Sequence, residues 1–300
     1  MQNDLDKSFG NRASSARLLR LVRFYTFYFP VNRGKGRIFN LAKRFSQPLP
    51  QNVVTETRDG RRFCVNFRDW ADDRIYFLGD YETFCTETVK KYIKKGDICL
   101  DAGANIGWYS TLFRKIVGAN GAVHSFEPVP QTFAGLKKNI ALNGAPPNVF
   151  LNNFGLGDAE KTLEIYLFDN LPSGHASLTA REDQPAQAIP VQIKTLDSYL
   201  TERKINQVDF VKVDIEGAEM MFLRGGKKLF EQKTPPVIFM EMALETARVF
   251  GYKPNDLIVF LREKADYKFY ALDEKNEKLL EIDGFPDDDI GANVLCIPQK

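Results

Sequence analysis

From residue 96 onward, short runs of apolar and β-branched residues alternate with stretches whose apolar residues recur at helical spacing. Such alternation builds βαβ units, in which parallel strands are joined by helices crossing the faces of one sheet. Strands are predicted over 98–100, 122–126, 149–156, 208–213, 236–240, 269–272 and 293–297, and helices over 108–117, 131–142, 217–230 and 255–263. Between the third and fourth strands an insertion carries extended pieces at 162–168 and 191–195 around a polar loop, 169–187. With 300 residues, 44% of them hydrophobic, the chain has ample material for one such core.

Five of these runs close on an acid: Asp101, Glu127, Asp158, Asp214 and Glu241. One acid after a strand is an ordinary cap or turn residue. Five at the carboxyl ends of successive strands line one crevice, where open α/β sheets bind ligands. The stretch 99–107, Cys-Leu-Asp-Ala-Gly-Ala-Asn-Ile-Gly, supplies the loop. A strand runs into Asp101, Gly103 and Gly107 tolerate positive φ and close backbone approach, and a helix opens at Trp108. A dinucleotide site asks for G-x-G-x-x-G, with pyrophosphate on the helix N-terminus. Here the pattern is Asp101-x-Gly103-x-Asn105-x-Gly107. An acid ahead of the turn repels phosphate and suits an ammonium, while a carboxylate at Glu127 can accept from both hydroxyls of a ribose. S-adenosylmethionine carries both groups.

The runs Leu100-Asp-Ala-Gly-Ala-Asn-Ile-Gly-Trp-Tyr109, Ser125-Phe-Glu-Pro-Val-Pro130, Asn139-Ile-Ala-Leu-Asn143, Thr195-Leu-Asp197 and Asp209-Phe-Val-Lys-Val-Asp-Ile-Glu-Gly-Ala-Glu219 together strongly resemble the FkbM family of S-adenosylmethionine-dependent methyltransferases. The resemblance spans roughly 81–297. It implies an α/β fold of the class I methyltransferase (Rossmann-like) type: a seven-stranded sheet, mostly parallel with an antiparallel last strand, and helices on both faces. It also implies methylation directed at an oxygen. By the same resemblance Asp101, Gly103 and Gly107 hold the methionine end of the cofactor and Glu127 the ribose, and Asn105, in the same loop, is a further cofactor-binding candidate. Asp158, or the backbone at Gly155 and Leu156, lies near the adenine, and Asp214 stands beside the sulfonium. Glu216 and Glu219 open the next helix and serve either the site or that helix's dipole.

A sulfonium methyl is already activated, so such an enzyme aligns an acceptor with the S–CH₃ bond and excludes water. A hydroxyl acceptor also needs its proton taken by a carboxylate or imidazole within hydrogen-bond reach. The candidates are Asp214, Glu241 and His175. His175 sits in Pro172-Ser-Gly-His-Ala-Ser177, a polar loop placed to cover the pocket; the alternative is a solvated loop histidine. His124, inside a strand, reads as core, and Lys212 as a partner for one of the acids. The expected acceptor is a hydroxyl of a sugar, glycan or other natural product.

Three rival readings are weaker. A nicotinamide-dependent oxidoreductase lacks its glycine fingerprint here. A nucleic-acid methyltransferase carries Asn/Asp-Pro-Pro-aromatic after the fourth strand, where this chain has Asp214-Ile-Glu-Gly217, and no nucleic-acid partner is expected. A non-catalytic binding protein of the same fold is opposed by the intact loop chemistry.

The net charge of +2 hides an asymmetry: residues 1–48 carry +8, leaving 49–300 at −6, without the basic footprint that phosphate contacts require. In that basic segment Leu18, Leu19, Leu21, Val22, Phe24, Tyr25, Phe27, Tyr28 and Phe29 interleave with Arg17, Arg20 and Arg23 before Pro30 stops the run. Such a helix packs on its own domain or, through 14–45, lies on an anionic membrane or a partner. Asp59-Gly60 between two β-rich runs predicts a hairpin. A polar stretch, 68–80, and a helix over 81–95 follow. Three segments are therefore expected: a basic aromatic N-terminal segment (1–48), a hairpin and helix (49–95), and the cofactor-binding core (96–300). The cysteines, Cys64, Cys85, Cys99 and Cys296, lie far apart and form no C-x-x-C, so they support neither a zinc site nor a disulfide framework, no residue is assigned as a metal ligand, and a reducing, cytoplasmic setting fits, membrane-peripheral at most.

Overall fold

A computed structural model describes residues 13–29, 34–47, 49–67, 70–168, 186–286 and 290–299. It divides into two compact units, residues 1–83 with 138–144, and residues 84–137 with 145–300.

The first unit holds α1 (Ala13–Tyr28), α2 (Lys35–Phe45), the hairpin β1 (Val53–Glu56) and β2 (Arg62–Val65), and α3 (Trp70–Leu78). The hairpin turns as Asp59-Gly60 requires: Gly60 takes φ 83° and Thr57 N donates to Arg61 O at 2.8 Å. Its inward side chains, with Phe67, meet α2 and α3, where Phe39 stacks on Phe77 at 5.0 Å and Phe67 meets Tyr76 edge-on at 4.7 Å. Helix α3 lies within the polar stretch 68–80, to which the sequence pattern assigns no element. Asp72, Asp73 and Arg74 give that stretch its polar look, yet Ile75 and Phe77 are fully buried. The single basic run resolves into two helices. The first is pinned by Thr26, which donates to Phe77 O at 2.5 Å, and by Arg23, which donates to Tyr76 O and, at 2.9 Å, to Glu56 O. Residues 138–144 serve as an edge cap: Asn139 Oδ1 accepts from Cys64 N at 2.8 Å and Asn143 Oδ1 from Arg62 N at 3.0 Å. Two asparagines four residues apart, on one helix face, thereby satisfy the edge of β2.

The second unit begins with α4 (Thr83–Lys90), shorter than the helix expected over 81–95. Then come β3 (Ile98–Ala102), α5 (Trp108–Val117), β4 (Ala122–Phe126), α6 (Pro130–Leu142), β5 (Val149–Asn152), β6 (Gly155–Leu156), β7 (Lys161–Phe168) and β8 (Ala186–Lys194). The chain continues through α7 (Leu196–Arg203), β9 (Phe210–Val213), α8 (Glu219–Gly225), α9 (Lys228–Glu231), β10 (Val237–Ala243), α10 (Leu244–Val249), α11 (Pro254–Lys264), β11 (Tyr267–Asp273), β12 (Lys278–Ile282) and β13 (Gly291–Pro298).

The main sheet has the order β12-β11-β13-β10-β9-β3-β4-β5. The five strands from β5 to β10 run parallel and β13 inserts antiparallel between β10 and β11. This is the α/β architecture expected, with its antiparallel last strand, extended by an eighth strand, β12, which pairs with β11 as a hairpin on the sheet edge. Asp273 closes that hairpin by accepting from Asn276 N at 3.1 Å. Side chains alternate between the two faces of the parallel strands. Leu100, Ala102, Val211, Val213, Ile238 and Met240 pack under α7, α8 and α11. The opposite face meets α5, where Phe113 contacts Phe210 at 5.5 Å and Tyr109 contacts Phe239 at 6.0 Å.

The third strand departs from expectation. It ends at Asn152, and Gly155–Leu156 leaves to form a separate sheet, β6-β8-β7. That sheet buries Ile165, Val191 and Ile193 with Leu163 and Ile189.

Candidate active site

The alternation that buries one face in hydrocarbon places polar side chains on the face toward α5. In register, Ser125, Asp101, Lys212 and Phe239 form one row across β4, β3, β9 and β10. Two residues further along, one past the last parallel-paired residue of each strand, the carboxyl edge carries Glu127, Gly103, Asp214 and Glu241, with Asn293 opposite Glu241 on β13. Four of the five acids predicted from strand ends therefore belong to this neighbourhood.

Asp158 does not join them. It lies past β6, half-exposed, with its carboxylate 3.3 Å from Lys161 Nζ. The end of β5 is held instead by Asn152 and Asn153, whose side-chain amides donate to Ser125 O at 3.1 Å and Glu127 O at 2.9 Å. His175 lies outside the described residues. His124 is core as expected: it shares a hydrogen bond with Tyr199 Oη at 2.8 Å, and burial pushes its pKa down to about 4.

The loop after β3 is tightly specified. Gly103, Asn105 and Gly107 all have positive φ, at 74°, 47° and 91°. A Cβ on Gly103 would lie 1.8 Å from Asp214 O, so only glycine lets the two loops meet. Asn105 N donates to Glu127 Oε2 at 3.0 Å and Val129 N to Glu127 Oε1 at 2.9 Å. Burial pushes the Glu127 pKa up to about 7 in spite of those two donors. Each oxygen holds one backbone N–H and keeps a second lone pair. That capacity fits a diol.

Asp101 is fully buried, beneath the loop rather than at its mouth. Ser110 Oγ donates to its Oδ2 at 2.5 Å, while Oδ1 has no hydrogen-bond donor and lies 3.8 Å from Lys212 Nζ. Burial raises its pKa, opposed by Lys212 and by the Ser110 hydroxyl. Lys212, also buried, donates to Gly103 O at 2.9 Å, lies 3.1 Å from Asp214 Oδ2, and has its Nζ 5.5 Å from the Tyr109 ring centroid. One ammonium thus ties the glycine loop to the β9 tip, a role sequence reasoning stated only as pairing with an acid. A lysine amid valines in a fully buried strand was the available signal.

Past Asp214 the chain reverses through Glu216 at φ 56° and Gly217 at φ 101°. Glu219 is buried at the first position of α8, where its carboxylate takes up backbone N–H groups of the turn before the helix. It accepts from Ile215 N and Gly217 N, each at 3.2 Å, and from Tyr252 Oη at 2.8 Å. It therefore holds the loop that presents Asp214. Glu241 is half-buried, and burial together with the nearby carboxylates of Asp214, Glu216 and Glu219 pushes its pKa up to about 8, with Lys212 opposing. Among the described residues no group of three or more His, Cys, Asp or Glu is placed to hold a metal ion.

A methyltransferase FkbM domain model matches residues 101–269. The chain is 31% identical over 154 residues to methyltransferase sdnD of Sordaria araneosa, covering 42% of this chain and 59% of that one. It is 25% identical over 184 residues to 31-O-demethyl-FK506 methyltransferase FkbM of Streptomyces tacrolimicus, covering 53% and 66%. With hexuronic acid methyltransferase AglP of Haloferax volcanii it shares 26% identity over 132 residues, covering 44% and 51%. The chain spans between half and two thirds of each of these relatives.

Proposed function

The chain belongs to the FkbM methyltransferase family, and on that premise we propose that it transfers the methyl group of S-adenosylmethionine to a hydroxyl oxygen of a sugar, glycan or other natural product. The observation that carries this reading is the row at the carboxyl edge of the sheet. Glu127, the Gly103 loop and Asp214 stand side by side, and Glu241, with a raised proton affinity, comes next.

The residues fit the cofactor. Glu127 has two oxygens able to accept from the ribose hydroxyls, and the loop 103–107 is shaped by positive φ for close backbone approach. Asp101 acts from below, ordering Ser110 and Lys212 and lending negative potential to the site of the ammonium. When bound, S-adenosylmethionine supplies a methyl activated by its sulfonium charge. What remains for the chain is to orient the acceptor and remove its proton. Asp214 is engaged by Lys212, whereas burial and the neighbouring carboxylates push the Glu241 pKa up to about 8, in the range where a base works best near neutral pH. Glu241 is therefore the proton acceptor in this reading and Asp214 orients the substrate. His175 keeps its place as a loop candidate.

Two relatives are named for oxygen or sugar chemistry, a 31-O-demethyl-FK506 and a hexuronic acid, which supports an oxygen acceptor. The test is incubation of the protein with methyl-labelled S-adenosylmethionine and fractionated extract, followed by identification of the labelled product. Label in a methyl ether of a hydroxylated compound is expected, and label in a methyl ester overturns the hydroxyl assignment by pointing to a carboxylate acceptor. Label confined to nitrogen, carbon or sulfur overturns the oxygen assignment.

A further inference from the structure

The first unit presents a surface that its own packing does not use. Helix α1 is held through Ala16, Leu19, Arg23 and Thr26, and Phe27 lies between the guanidinium groups of Arg23 and Arg58, each 4.9 Å from its ring centroid. On the other side, Arg17, Leu21, Phe24 and Tyr28 follow at intervals of four, three and four residues and so form one stripe. Leu21 is 68% exposed, Phe24 66% and Tyr28 70%. Helix α2 repeats the arrangement. Phe39 and Ala42 are buried, whereas Ile38, Leu41 and Phe45 form an exposed stripe flanked by Arg37 and Arg44.

The charge along the segment that carries these stripes has one sign, and Asp73 of α3, which bonds to it, pairs with the inward-lying Lys43. No Asp or Glu occurs between Asp6 and Glu56, and Arg17, Arg37 and Arg44 are solvent-exposed. No helix among the described residues is long and apolar enough to cross a membrane. Aliphatic and aromatic side chains facing outward beside arginines are instead the composition of helices lying in the plane of a membrane interface. The apolar stripe enters the acyl boundary and the guanidinium groups reach the phosphates.

We propose that the exposed faces of α1 and α2 form a docking surface for an anionic lipid bilayer. Charge complementarity selects this occupant over a second copy of the chain, since a two-fold interface would set the same arginines against one another. The proposal is independent of the methyl-transfer reading, because lipid binding is measured without cofactor or acceptor.

The test is co-sedimentation of the full chain with vesicles of phosphatidylcholine, with and without phosphatidylglycerol. Binding is expected only to the anionic vesicles and should weaken with added salt. Neutralising Arg17, Arg37 and Arg44 to Gln should weaken partition about fivefold per residue. The triple variant Leu21→Ser/Phe24→Ser/Leu41→Ser should lose about tenfold or more. Both variants change exposed positions, so an unchanged thermal melt accompanies the expected loss, and the Gln set decides should the Ser set fail to fold. Equal binding to neutral and anionic vesicles, no vesicle binding, or wild-type partition by both variants overturns the proposal. A wild-type dimer that the Ser variant converts to monomer, without vesicle binding, assigns the surface to a second copy and also overturns it.

Discussion

At Glu241 burial, together with crowding by the carboxylates of Asp214, Glu216 and Glu219 that Lys212 only partly opposes, raises the carboxyl pKa to about 8. A base must be deprotonated to act. Turnover is therefore expected to climb about tenfold per pH unit and to level off above about 8. Glu241→Gln should remove that limb and lower turnover about 10²–10⁴-fold, leaving cofactor affinity near wild type. Unchanged turnover in Glu241→Gln would falsify its role as base. Glu127 obeys a second sign rule. Its pKa is raised from 4.5 to about 7 by burial, so the folded state holds a proton that the unfolded chain releases. That contribution is full below about 4.5 and declines as pH rises through about 7. Glu127→Gln is therefore expected to flatten the fall in stability of the cofactor-free protein between about pH 4.5 and pH 7 in denaturant melts, and to weaken S-adenosylmethionine binding. A stability slope identical to wild type contradicts the assignment.

At the scale of elements the site depends on two loops meeting at one glycine. Gly103→Ala brings a methyl onto Asp214 O and asks alanine to hold φ 74°. A loss of about 1 kcal/mol or more in a denaturant melt is expected, with impaired cofactor binding. Tyr252→Phe removes the hydroxyl that donates to Glu219 Oε2 and should cost about 1–3 kcal/mol while lowering turnover through the displaced Asp214 loop. The elements most legible in the sequence were those with one unambiguous cause. The Asp59-Gly60 turn and the buried strands β3, β4 and β9 fall where chemistry dictates. Helix α3 was hidden because its buried Ile75 and Phe77 lie among charged neighbours, and β12 because it is an edge strand with Leu280 still exposed. The break after β5 has no pattern signal. It is fixed by asparagine side chains bonding to backbone carbonyls across the sheet, contacts that single-chain periodicity does not encode.

At the scale of the whole chain, the acids at strand ends were readable because parallel strands place their carboxyl ends together whatever the details of packing. Which of those acids point into the site was not readable. Asp101 is buried beneath it, Asp158 pairs with Lys161 past β6, and the bond from Lys212 to Gly103 O exists only once the sheet has assembled. The basic N-terminal helices were visible as composition, and their outward stripes as geometry only after the buried side was known. Methyl transfer by this chain requires S-adenosylmethionine to occupy the loop between Gly103 and Glu127, and calorimetric titration of the full chain with S-adenosylmethionine and, separately, NADH is the direct test. Saturable heat with S-adenosylmethionine, weakened in Glu127→Ala, and none with NADH is the expected result. Tight NADH binding with no response to S-adenosylmethionine would contradict it.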